Sequence, residues 1–135
     1  MKFREARKED LNEIGKLMKT EFSKSPFNER DSMKSILESL DFYFKTGKIF
    51  IATNENKIIG VVVFKFEQYW EGKVMIIEDL AVDSKFQNKS VGKELMKFAE
   101  SYAKNKKAKL VLFKTHKKSK SVKFSKTPIK ALKSV

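Results

Sequence analysis

The chain has 135 residues, 41% apolar and 35% charged, with 30 basic against 17 acidic side chains; that is long enough for one domain with a real core. Cysteine is absent and His116 is the single histidine, which excludes a disulfide framework, a thiol nucleophile, a zinc–thiolate site and a multi-histidine metal cluster. No apolar run approaches the roughly 20 residues of a membrane-spanning helix, and the first residues lack the apolar core of a signal peptide, so a cytoplasmic protein with no metal and no membrane partner is expected.

Residues 2–7 read as a first strand. Glu9 and Asp10 open a helix reaching about Phe22, with Leu11, Ile14, Leu17 and Met18 on one stripe. Residues 23–26, ending in Pro26, break it. Pro26 fits in or before the first turn of a second helix over about residues 28–44, where Met33, Ile36, Leu37 and Leu40 recur at helical spacing. Gly47 closes that region. Residues 48–53 form a strand, residues 54–57 a polar hairpin turn, and residues 58–69 a long strand in which Gly60 marks a bulge. Glu71 and Gly72 turn the chain into a strand over residues 73–82. Three strands joined by short turns imply an antiparallel meander. A helix over residues 91–104 carries Leu95, Phe98, Ala99 and Tyr102 on its apolar face, and a strand follows over residues 109–115. Strand, helix, strand implies a right-handed parallel crossover. There is no internal repeat and no interdomain linker, so residues 1–135 are expected to form one domain.

Residues 75–98 say most about function. An apolar strand ends at Val82, and a short polar loop leads to Gln87, Asn88, Lys89, Ser90, Val91 and Gly92 at the head of the amphipathic helix. A strand feeding a small-residue loop that opens a helix is a common phosphate-binding arrangement. The free N–H groups of the first helical turn point at the anion, and the helix dipole favours negative charge there. Gly92 keeps a side chain out of the way of a closely approaching ligand.

This stretch resembles the acyl-CoA-binding motif of the GCN5-related N-acetyltransferase (GNAT) superfamily: Gln or Arg, two residues, Gly, one residue, then Gly or Ala, placed after a strand. Gln87 and Gly92 fill the outer positions. Ser90 replaces the middle glycine, where a positive φ would strain any other residue. The run Glu78, Asp79, Leu80, Ala81, Val82 before the loop and the helix after it strengthen the match, and the order of elements resembles that family over about residues 1–124. The resemblance implies an α/β GNAT fold: a mixed central sheet with antiparallel N-terminal strands and a parallel pair splayed around the cofactor, with helices on both faces. It implies acetyl-CoA as acyl donor and a primary amine as acceptor, whether a small amine, an amino acid, a peptide N-terminus or a lysine. It places the backbone of Leu80, Ala81 and Val82 against the pantetheine arm. The pyrophosphate falls on the N–H groups of about residues 88–93, with Lys89 and Lys93 as candidate phosphate partners.

An attacking amine must be neutral, so something must accept its proton. Glu78, on the strand entering the cofactor site, is the candidate base; the alternatives are that it ends a strand or pairs with a lysine while a water chain moves the proton. Strand alternation puts Glu78 and Asp79 on opposite faces. By resemblance, a backbone N–H near Leu80 or Ala81 stabilises the oxyanion. The loop between the first two helices often shapes the acceptor site in this fold, which makes Phe27 and Arg30 candidate substrate contacts. Trp70, Tyr69 and Phe66 line an acceptor pocket or, as the better reading, form partial core. His116, at a strand end, reads as solvated or capping.

Beyond about Thr115 the resemblance weakens. Lys118 stands where relatives carry Asn, and Ser125 where a tyrosine often protonates the departing thiolate. Residues 125–135 contain Pro128 and no strand-like alternation, so this end is expected to be truncated or frame-shifted relative to the family. A missing last strand exposes a sheet edge that a homodimer could cover. The excess charge lies here too: residues 1–100 hold 18 basic and 17 acidic side chains, residues 101–135 hold 12 lysines and no acid. A basic nucleic-acid-binding module is therefore a competing reading. Against it, the chain has 27 lysines and 3 arginines, a lysine bias, whereas sequence-specific readers lean on arginine. A second reading within the family is an acyl-CoA-binding domain with weak or no catalysis.

Overall fold

The longest apolar run of the chain lies in a hairpin of two strands that are buried in the middle of a sheet. In the computed structural model, which describes residues 1–25, 27–87 and 89–113, strand β1 (Lys2–Glu5) is followed by helices α1 (Leu11–Phe22) and α2 (Met33–Thr46). The strands β2 (Lys48–Asn54), β3 (Lys57–Tyr69) and β4 (Gly72–Val82) come next, then helix α3 (Val91–Asn105) and strand β5 (Leu110–Phe113). The five strands form one sheet in the order β1-β2-β3-β4-β5. Pairing is antiparallel from β1 to β4 and parallel between β4 and β5. The meander and the crossover are thus as the sequence implies.

Helices α1 and α2 cover one face of the sheet and α3 the other. Ile49, Ile51, Val61 and Val63 point into the first core with Ile14, Met18 and Leu40. Ala52, Val62, Phe64, Met75 and Ile77 point into the second with Val91, Leu95 and Ala99. Burial on both faces explains why β3 is apolar without alternation from Ile58 to Phe64. Asn54 and Lys57 pair across the first hairpin while Glu55 and Asn56 both take positive φ, the two-residue turn whose twist matches antiparallel strands.

Two register shifts shape the sheet. Ala52 faces Gly60 and Thr53 faces Ile58, leaving Ile59 as an extra residue beside Gly60. A Cβ on Gly60 would lie 2.9 Å from Val91 Cγ1 and 3.0 Å from Leu95 Cδ1, so this glycine sets how closely α3 approaches the sheet. The second shift has Val63 facing Asp79 and Phe64 facing Ile77, with Glu78 as the extra residue of β4.

The second helix starts at Met33, not near residue 28. Ser32 is its N-cap, with Oγ accepting from Ser35 N–H at 3.1 Å. Pro26 therefore does not open it. Phe27 to Asp31 run outside any helix, with Asn28 at φ +50° and Glu29 N–H bonded to the Phe22 carbonyl. A turn at Lys8–Asp10 precedes α1, where Asp10 accepts from Arg7 N–H at 2.7 Å and from both Arg4 guanidinium nitrogens at 2.8 and 3.2 Å. Among the described residues no helix is long and apolar enough to cross a membrane. Pro26, Asn88, His116, Lys118, Ser125 and the tail over residues 125–135 lie outside the described residues, as does the far end of the parallel pair.

Candidate functional site

The end of β4 and the start of α3 enclose a cleft of about 680 Å³. Leu80, Ala81 and Val82 line it from β4, Gln87 and Ser90 from the connection, and Gly92 and Lys93 from the first turn of α3. Phe22, Lys24, Ser25 and Phe27 form the opposite wall. Seven of the expected cofactor-binding residues, together with Phe27, therefore meet in one place. Val91 does not: its side chain is fully buried in the core on the α3 side, leaving only its backbone for the site. Lys89 is exposed and lies outside the lining.

Ser90 stands at φ +64°, ψ 17°, the left-handed region. The position that asks for glycine in the motif thus has the backbone that glycine favours, and serine holds it at a cost of about 1–2 kcal/mol. Its carbonyl accepts from Glu94 N–H at 3.0 Å and begins the helix. The next N–H groups belong to a first turn that has no helical acceptor for them. At Gly92, an added Cβ would meet, among the described residues outside its own helix, Val82 Cγ2 at an ordinary 3.6 Å. Neither packing nor φ requires glycine there, although glycine costs a helix about 1 kcal/mol relative to alanine. The open space beside Gly92 faces the cleft.

A residue outside the motif ties this region together. Glu21, on α1, is buried. Its carboxylate accepts from Ser84 N–H at 3.1 Å, Ser84 Oγ at 2.8 Å, Gln87 Nε2 at 3.4 Å and Lys24 Nζ at 3.1 Å. Gln87 Nε2 also donates to the Val82 carbonyl at 3.0 Å, and Lys24 Nζ to Ser84 Oγ at 2.7 Å. Sequence reasoning missed Glu21. The available signal was its place seven residues after Ile14, on the apolar stripe of the helix, where a carboxylate is out of character.

The two carboxylates of β4 sit differently from strand alternation. Because Glu78 is the extra residue of the bulge, the strand changes phase there. Met75 and Ile77 face the α3 side before it, whereas Leu80 and Val82 face that side after it. Glu78 meets Lys65 Nζ at 3.4 Å, and Lys65 follows Val61 and Val63 on the α1/α2 face. Asp79 pairs with Val63 and lines a pocket with Met18 and Phe22 of α1 and Ile36 of α2. Both carboxylates thus point to the α1/α2 face, not to opposite faces as alternation implied.

Glu78 has a side chain only 4% exposed. Lys65 lies between Glu67, at 3.2 Å, and Glu78; the hydrogen bond to Glu67 and the charge of Glu78 hold its ammonium above the usual lysine pKa. Asp79 is the β4 carboxylate that lines open space. Its pocket, about 270 Å³, also includes Lys19, Glu29, Asp31, Ser35 and Ser39, and shares Phe22 with the cleft.

The candidate substrate contacts separate. Phe27 lines the cleft, edge-on to Phe22 with ring centres 5.2 Å apart. Arg30 lines a different groove with Lys16, Thr20 and Met33. The aromatic trio also divides: Phe66 packs against Phe64 and Tyr102, while Tyr69 and Trp70 are exposed at the β3–β4 turn. Among the described residues, Trp70 and Tyr69 are therefore not core, and neither lines the cleft beside Gly92.

The mixed sheet, its bulged β4 and the glycine-bearing start of α3 define an acyl-CoA N-acyltransferase fold. The model of the acetyltransferase (GNAT) family matches residues 11–125, and the chain belongs to that family. No curated protein matches the sequence. Among solved structures, a possible acetyltransferase from Clostridium difficile 630 superposes with a TM-score of 0.76 at 17% identity, over 90% of this chain and 84% of that one. An aminoglycoside N-acetyltransferase, AAC(6')-Iy, in complex with CoA gives 0.73 at 19% identity, over 97% and 85%. An aminoglycoside acetyltransferase from an uncultured soil metagenomic sample, in complex with sisomicin, gives 0.69 at 22% identity, over 93% and 85%.

Proposed function

We propose that this chain is a single-domain, cytoplasmic N-acetyltransferase that moves an acetyl group from acetyl-CoA to a primary amine by direct attack. The observation that carries the reading is the cleft beside Gly92, where the end of β4, a left-handed Ser90 and the first turn of α3 meet around space that no side chain of the described residues fills. Family membership and the CoA-bound relative support it.

In this reading acetyl-CoA supplies an activated thioester, and the chain supplies position and charge. The backbone of Leu80, Ala81 and Val82 holds the pantetheine arm. Of the expected N–H groups of residues 88–93, that of Lys89 donates to the Phe86 carbonyl at 3.1 Å, so those of residues 90–93 take the pyrophosphate, helped by the helix dipole, with Lys93 and, on the opposite wall, Lys24 adding positive charge. A backbone N–H near Leu80 or Ala81 stabilises negative charge on the carbonyl oxygen. As the amine nitrogen bonds to the acyl carbon and the carbon–sulfur bond breaks, Glu78 takes the amine proton. Glu78 is buried, so a water relays that proton. The pocket of Asp79, which shares Phe22 with the cleft, receives the acceptor amine. Thiolate is a good leaving group, so Ser125 in place of a tyrosine still permits turnover. That same replacement favours a second reading, an acyl-CoA-binding domain with little catalysis.

Calorimetric titration with acetyl-CoA, beside a Gly92→Trp variant, tests the assignment. Saturable binding to the folded wild type and none to the folded variant support it, and an amine screen then separates enzyme from binding domain. Absence of binding to folded wild type overturns it.

A further inference from the structure

We infer that Glu21 is a positioning residue for the acyl-donor loop, an inference that rests on the donor site proposed above. Glu21 belongs to α1, far in sequence from the loop, yet two of its acceptor bonds go to Ser84 and one to Gln87. Gln87 passes the constraint on to the Val82 carbonyl, the last residue of β4 in the cleft. The carboxylate thereby holds residues 84–87, the stretch between the end of β4 and the turn that carries Ser90 into α3.

The surroundings of Glu21 make a purely structural role a poor explanation. It occupies an apolar stripe with Ile14, Met18 and Phe22, where a leucine would bury more favourably than a carboxylate. It also sets a negative charge in the lining of a cleft whose ligand is anionic, offset in part by Lys24 at 3.1 Å. What the carboxylate contributes is direction: oxygen acceptors able to take a backbone N–H, a hydroxyl, an amide and an ammonium together. A loop held this way meets the ligand already ordered, so less conformational freedom is lost on binding.

The two roles of the charge predict opposite signs. If Glu21 acted only through its field, Glu21→Gln would tighten acetyl-CoA binding. If it positions the loop, the same near-isosteric change weakens binding, by roughly tenfold or more, because Gln presents N–H groups to Ser84 and Gln87 donors. The test measures acetyl-CoA Kd and amide hydrogen exchange in wild type, Glu21→Gln, Ser84→Ala and the double variant. The expected result is weaker donor binding, faster exchange confined to residues 84–93 with α1 unchanged, and non-additive effects of the two substitutions. KM for the donor rises while KM for the amine stays. Unchanged or tighter binding with unchanged loop exchange overturns the inference; so does additivity between Glu21→Gln and Ser84→Ala. A folded wild type that does not bind acetyl-CoA removes the proposed function, and the exchange measurement then still decides whether Glu21 orders the loop. Ser84→Ala removes a single hydroxyl at a surface turn and keeps the test open if Glu21→Gln fails to fold.

Discussion

Glu78 and Lys65 form an ion pair of 3.4 Å between β4 and β3, and the pair exists because β4 has one residue more than β3 at that point. The bulge turns Glu78 toward the α1/α2 face, where Asp79 also lies. Glu78→Gln is expected to lower kcat about 10²-fold or more, within the range for a lost general base, while acetyl-CoA affinity stays. Asp79→Asn, by contrast, raises KM for the amine. An unchanged pH–rate profile and turnover in Glu78→Gln would falsify the base assignment.

Lys65→Met leaves the buried Glu78 carboxylate without its ammonium. The expected loss of stability is about 1–3 kcal/mol, below the ~3–5 kcal/mol of a fully buried pair because one side of Lys65 is open to water. Urea denaturation at neutral pH measures it. The raised pKa of Lys65 gives the pH sign: its contribution is full below the unfolded value near 10.4 and fades as pH climbs through the higher folded value. On the alkaline side the gap between wild type and variant should therefore narrow not near neutrality but at strongly alkaline pH.

Asp10 supplies the opposite case. The hydrogen bond from Arg4, with help from Arg7 N–H, holds its carboxyl below the usual aspartate pKa despite partial burial. Its contribution is full above the unfolded value near 3.9 and disappears as pH falls through the lower folded value. Asp10→Asn should cost about 1 kcal/mol at pH 7, the order of a partly exposed ion pair and its hydrogen bonds, and almost nothing at pH 2. Parallel melts at the two pH values check this.

Gly92→Ala should separate stability from binding. With no atom of the described residues outside its own helix nearer than 3.6 Å to the new methyl group, the variant gains about 0.5–1 kcal/mol from helix propensity. It should also bind acetyl-CoA more weakly, because the methyl occupies the approach to the first turn of α3. Equal affinity in calorimetry would show that the ligand does not come near Gly92.

Ser90→Gly removes a left-handed backbone penalty of about 1–2 kcal/mol and adds freedom to the unfolded chain worth about 0.5–1 kcal/mol against it. A net gain of about 0.5–1 kcal/mol is expected, with donor affinity retained. A loss of stability on chemical denaturation would mean that the Ser90 hydroxyl makes a contribution the backbone argument omits.

Periodicity made most elements legible: the stripe from Leu11 to Met18, the unbroken apolar run of β3 and the Glu55–Asn56 turn are patterns set within a few residues of one another. The start of α2 was misread because Pro26 is a strong local signal, whereas the Ser32 cap competes with it only once Phe22 and Glu29 are joined. The stretch that resembles the family motif was legible because it is contiguous. Its length, its glycine and even the strain at Ser90 are properties of residues 87–92 alone.

What no local pattern contains is a count of residues on a neighbouring strand or the address of a distant carboxylate. The face that Glu78 and Asp79 share depends on β3 pairing past Glu78, and the role of Glu21 depends on α1 reaching the β4–α3 connection. Short-range spacing and backbone preference carried the elements, the antiparallel meander and the parallel crossover, and the resemblance of residues 75–98 carried the family and its mixed sheet. Tertiary packing alone decided which carboxylate lines a pocket, which is buried against a lysine, and which holds the loop, because each of those outcomes is an interaction between segments whose separation along the chain carries no information about their separation in space.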